Sequence, residues 1–161
     1  MADQKVAVVT GSSSGIGYET SLLLARNGFH TYATMRNLEK SVNIREIASK
    51  ERLPLYTVQL DVTDDVSVKN AIDKILTESR RIDILVNNAG YALLGAIEDL
   101  SIDELKAQYE TNLFGIVRVT QAVLPIMRKQ KSGIIVNMSS IGGRIGFPPS
   151  PACHMSLSHL E

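Results

Sequence analysis

The chain runs Val6-Ala7-Val8-Val9-Thr10-Gly11-Ser12-Ser13-Ser14-Gly15-Ile16-Gly17, an apolar stretch that breaks into glycines and serines and then into a helical pattern. Those residue types suit a phosphate group. Glycines let the backbone approach it, free N–H groups and serine hydroxyls face it, and the positive end of the following helix favours its charge. The spacing is Gly-x-x-x-Gly-x-Gly; because it follows a strand and opens a helix inside a βαβ unit, it reads as a dinucleotide site rather than a plain glycine turn. A site for NAD would carry an acidic residue at the end of the next strand, about 20 residues on. This chain has Met35-Arg36 there. A guanidinium fork suits a 2′-phosphate, so Arg36, with Ser13 and Ser14, favours NADP(H) over NAD(H); a solvated surface arginine is the other reading.

These groups need a scaffold, and the chain alternates strand-like and helix-like segments throughout. Short apolar runs rich in β-branched residues lie near Lys5 to Thr10, Thr31 to Met35, Leu55 to Leu60, Ile82 to Asn87 and Gly133 to Met138. Amphipathic helices are expected near Gly15 to Asn27, Leu38 to Lys50, Asp64 to Arg80 and Ser101 to Lys129. Gly28 suits the stop of the first helix, Asp64 and Asp65 suit the start of the third, and Ser101 with Glu104 has capping-box spacing. Pro125 should end or kink the fourth. The pattern is that of an α/β Rossmann-type, doubly wound parallel sheet of five strands in the order 3-2-1-4-5, with its ligand crevice above the carboxyl ends of the strands. No repeat or linker divides residues 1–161, so one domain is expected.

Composition narrows the partners. Lys and Arg number 17, as do Asp and Glu, so no net field attracts nucleic acid or anionic lipid. No apolar run approaches transmembrane length, and no metal site is expected. The lone Cys153 and the immediate start of the first strand after Met1-Ala2-Asp3-Gln4-Lys5 suggest a cytoplasmic chain.

Three further motifs follow the strands in order: Leu60-Asp61-Val62, Asn87-Asn88-Ala89-Gly90 and Asn137-Met138-Ser139-Ser140. With them the chain, up to about residue 152, resembles the short-chain dehydrogenase/reductase family. Thr31 to Arg36 and Gly90 to Gly95 are most similar to its 17β-hydroxysteroid and retinol dehydrogenase-like branch. The resemblance implies an oxidoreductase of a carbonyl or secondary alcohol. Asp61 and Val62 would lie against adenine; Asn87, Ala89 and Gly90 would line the cofactor cleft; Thr10 would tie the Asn87 to Gly90 turn to the first strand. Ser140 matches the catalytic serine that hydrogen-bonds the substrate oxygen, and Asn112 the asparagine that holds a water of a proton relay. Taken alone, Asn87 and Asn88 read as a turn pair, Asp61 as a helix-leading acid and Asn112 as a buried polar residue satisfying backbone.

The resemblance also implies a tyrosine, its pKa lowered by a lysine, as proton donor in Tyr-x-x-x-Lys. Counting thirteen positions on from Ser140 reaches Cys153, and the lysine position is Leu157. The last tyrosine is Tyr109 and the last lysine Lys131, so no shift of register restores the pair. A Cys153 thiol beside His154 is much shorter than a phenol and a poor substitute. The family pattern would continue with a helix, then two strands with a helix between them, so the expectation is a truncated or altered chain whose bare apolar surface makes it a homo-oligomer. A non-catalytic nucleotide-binding module and a self-associating fragment without ligand are the alternatives to an impaired enzyme.

Overall fold

The structure, a computed structural model, describes residues 4–141 and Arg144. Strands β1 (Val6–Val9), β2 (His30–Met35), β3 (Leu55–Gln59), β4 (Ile84–Asn87) and β5 (Ile134–Asn137) form one parallel sheet, ordered β3-β2-β1-β4-β5 as the alternation implied. In the pairing register, Val9 stands level with Ala33 and Val86, and Asn87 with Asn137. The segments that leave β1, β2 and β4 therefore emerge together at one end of the sheet.

Helices α1 (Gly15–Arg26), α2 (Val42–Glu51), α3 (Asp65–Ser79), α4 (Ile102–Tyr109) and α5 (Gly115–Gln130) cover the two faces. Alternation along each strand sends side chains to opposite faces. Val6, Val8, Tyr32 and Leu85 meet Ile72 and Ile75 of α3 and Val119 and Val123 of α5, while Ala33 and Met35 meet Leu22 of α1 and Ile44 of α2. Burial of a Leu or Ile of this kind contributes about 1.5–3 kcal/mol. The α1 and α2 side stops short of β5, leaving Ile134 58% and Val136 39% exposed.

Local signals act as their chemistry dictates. The Asp64 carboxylate accepts from Val66 N–H at 2.9 Å, Ser101 and Glu104 exchange both bonds of a capping box, and Gly28 closes α1 with a φ of +83°. Three expectations need correction. Residues 38–41 form a 3₁₀ turn ahead of α2 rather than its first helical turn. The single fourth helix is α4, a wide π turn over residues 110–114, and α5 in succession. Pro125 does not end α5, which runs five residues further. Pro125 and Gln121 both lie on the exposed side, where water can satisfy the carbonyl that proline leaves free, while Val123 and Met127 hold the other side in the core. No helix among the described residues is long and apolar enough to cross a membrane.

Candidate functional site

At the carboxyl end of the sheet, the loop after β1 and the turn after β4 are clasped together. Thr10 is buried, and its hydroxyl accepts from the N–H groups of Asn88 and Ala89, each at 3.0 Å. The Asn88 side-chain amide donates back to the carbonyls of Thr10 at 3.0 Å and Gly11 at 3.2 Å. This close approach explains the glycines. A Cβ on Gly11 would come within 2.7 Å of Ala89 Cα, and one on Gly17 would fall on the Asn88 amide and 2.6 Å from the Gly11 carbonyl oxygen. Ser12 is structural: its hydroxyl donates to Val9 O at 2.9 Å and accepts from Ser21 at 3.0 Å.

The clasp forms the floor of a cleft of about 940 Å³. Gly11, Ser13, Ser14, Gly15 and Ile16 line one side, Arg36 the end of β2, Asp61 and Val62 the end of β3, and Ala89 and Gly90 the end of β4. No side chain caps the start of α1, so its first N–H groups are left for another acceptor. Gly15 has a φ of +60°, and a Cβ there would meet nothing within 4 Å. Arg36 is exposed and carries no ion pair among the described residues. One oxygen of Asp61 is committed locally, accepting from Thr63 N–H at 3.0 Å and its hydroxyl at 2.8 Å.

Several expected residues stand behind this cleft rather than on its wall. Thr10 and Gly17 are consumed by the clasp. Asn87, expected on the lining, is buried, and its amide donates to Thr120 at 3.1 Å and Asn137 at 2.9 Å, because the pleat turns its side chain toward α5 and β5. Asn112 is buried in the π turn. Its carbonyl oxygen accepts from Tyr91 N–H at 3.0 Å and its amide donates to Tyr91 O at 2.9 Å, joined there by Gln108 at 3.1 Å. Those side-chain groups of Asn112 thus hold the segment after β4. Ser140 is exposed beyond β5 and is not part of the lining. Cys153 and Leu157 lie outside the described residues.

A family model described as short chain dehydrogenase matches residues 5–152. The chain belongs to the short-chain dehydrogenase family. An oxidoreductase, BOA17, of Botryotinia fuckeliana is 45% identical over 144 residues, which are 89% of this chain and 52% of that one. The 17-beta-hydroxysteroid dehydrogenase type 1 of Homo sapiens is 40% identical over 149 residues, 89% of this chain and 45% of that protein. A gluconate 5-dehydrogenase from Burkholderia cenocepacia, solved in complex with NADP and tartrate, superimposes with a TM-score of 0.90 at 29% identity, covering 98% of this chain and 62% of that one. The chain spans about half the length of the relatives it matches.

The short-chain dehydrogenase cleft suits a dinucleotide in three independent ways. Its loop is open at Gly15, α1 presents uncapped donors, and the lining carries one cationic fork at Arg36. Sequence reasoning missed Asn88, Glu110, Thr111 and Tyr91, which line the same cleft. The motif already contained Asn88, and its cross-loop amide bonds separate it from a plain turn residue. Glu110 and Thr111 reach the cleft through the π turn, for which the sequence has no marker.

Proposed function

We propose that the cleft binds NADP(H) and that the chain carries the nucleotide-binding part of an oxidoreductase acting on a small-molecule carbonyl or secondary alcohol. The observation that carries this reading is the meeting of the uncapped start of α1, the unpaired Arg36 and the Asp61-Val62 wall in one cleft. Gly11, Gly15 and Ile16 would hold the pyrophosphate, Arg36 and the Ser13 and Ser14 hydroxyls would take the 2′-phosphate, and Asp61 and Val62 would flank the adenosine end. Ala89 and Gly90, small and backed by Asn112, leave room for the nicotinamide end. The bound cofactor supplies or accepts a hydride. Ser140 holds the substrate oxygen. A cytoplasmic setting fits the single cysteine.

Proton donation is the missing part, because Cys153 and Leu157 occupy the tyrosine and lysine positions. Loss of a general acid alone typically costs about 10²- to 10⁴-fold in rate. The chain is therefore expected to consume no NADPH above background with a panel of aldehydes and ketones. A form carrying Cys153→Tyr and Leu157→Lys, continued through the second half present in the relatives, is expected to consume it. Steady turnover by the unaltered chain would refute the impairment.

The uncovered Ile134 and Val136 of the edge strand β5 favour homo-oligomerisation through this edge. Light scattering across a range of concentrations should give a mass that rises with concentration. A constant monomer mass would rule the association out.

A further inference from the structure

Arg118, on α5, belongs to no motif and does not line the cleft, yet its guanidinium reaches three separate elements. Nη1 donates to the Val62 carbonyl at 2.6 Å, Nη2 to a Glu110 carboxylate oxygen at 2.6 Å, and Nε to Asp65 at the start of α3. Val62, after β3, and Glu110, on the π turn, both line the cleft. The contact is reinforced one turn earlier on α5, where a Cβ on Gly115 would come within 2.7 Å of Val62 Cγ2. The side chain of Arg118 is mostly covered, whereas its Asp65 partner is 85% exposed.

From this arrangement we propose that Arg118 is a positioning residue for the adenosine half of the nucleotide site, an inference that rests on the NADP(H) reading above. Two effects follow from the same bonds. The guanidinium sets the separation of the Val62 and Glu110 walls, which no backbone pairing joins. It also neutralises Glu110, a carboxylate on the lining that would otherwise repel an anionic nucleotide. The planar fork matters as much as the charge, since Nε, Nη1 and Nη2 are three separate atoms spread over a rigid plane, whereas the three donors of a lysine ammonium share one nitrogen and cannot span the same acceptors.

The test uses the full chain with NADPH and 2′,5′-ADP as probes, and compares Arg118→Met, Arg118→Lys and Asp65→Asn. Losing the two bonds to the cleft walls is expected to weaken both probes by about tenfold in Arg118→Met, and by the same factor for each, because the loss lies in the adenosine half. Arg118→Lys should recover only part of this, and Asp65→Asn, which removes the exposed arm alone, should change affinity less than about twofold. Hydrogen exchange without nucleotide should quicken at residues 62–65 and 110–114 in Arg118→Met and stay unchanged in β1. A folded Arg118→Met with unaltered affinities, or a full rescue by lysine, overturns the proposal. If Arg118→Met does not fold, Arg118→Lys decides the matter by the same affinities. Failure of the unaltered chain to bind either probe would refute the nucleotide reading, whereas unaltered exchange in Arg118→Met would refute the clamp itself.

Discussion

Gly17→Val is expected to abolish nucleotide binding, raising the NADPH dissociation constant by about 100-fold or more and lowering stability by about 1–3 kcal/mol. A Cβ at this position falls on the Asn88 amide, and the Gly11 carbonyl oxygen lies 2.6 Å away, so the branched side chain has nowhere to go. The Asn88 amide is in turn fixed on the carbonyls of Thr10 and Gly11. Pushing it aside therefore moves both the loop after β1 and the turn after β4, the two segments that form the floor of the cleft. Gly15→Ala makes the useful contrast. Its Cβ meets no protein atom, and its cost is the left-handed backbone alone, about 1–2 kcal/mol. That variant should fold with the clasp intact and weaken NADPH by intruding on the open side of the loop. Isothermal titration and chemical denaturation of the two variants separate these outcomes; wild-type affinity in folded Gly17→Val would contradict the clasp.

Asp83→Ala is expected to destabilise the chain by about 2–3 kcal/mol, a fall in Tm of several degrees, while leaving nucleotide affinity of the folded protein unchanged. Asp83 lies at the opposite end of the sheet from the cleft and is only 5% exposed. Its carboxylate accepts from Val6 N–H at 2.8 Å and from Arg81 at 2.8 and 2.7 Å, so alanine strands a buried backbone donor and a guanidinium. Burial alone would raise its pKa, but the Arg81 and Val6 hydrogen bonds outweigh this and hold the carboxyl below its ordinary range. A depressed folded-state pKa means that the contribution is complete above the unfolded value of about 3.9 and is lost as pH falls through the lower folded value. Urea unfolding of Asp83→Asn from neutral pH to below 4 should accordingly lose part of the acid sensitivity seen in the unaltered chain. Parallel pH profiles for the two proteins would show that Asp83 carries no such linkage.

The sheet was legible because each strand is a short apolar run bounded by turn residues, and because right-handed crossovers leave few orders for five parallel strands. The glycine loop was legible for a local reason: its residues fit the phosphate chemistry within one stretch of chain. What escaped the sequence depends on side chains meeting across long separations. Nothing around Arg118 marks it as a partner of Val62, 56 residues earlier. Asn87 looks equivalent to Asn88 in sequence, but strand pleating directs it to Thr120 and Asn137 while its neighbour clasps the glycine loop. Pro125 obeys its chemistry without ending α5, since the carbonyl it frees is on the exposed side and core burial on the other side holds the helix together.

The central claim is that a cation at the end of β2 turns this cleft toward a 2′-phosphate. Parallel titrations of the full chain with NADPH and NADH, repeated with Arg36→Ala, test it most directly. A charge-assisted fork on a phosphate contributes about 1.5–3 kcal/mol, so NADPH should bind about 10- to 100-fold more tightly than NADH, and Arg36→Ala should bring the two together by weakening NADPH alone. Equal affinities in the unaltered chain, or a preference that survives Arg36→Ala, would contradict it.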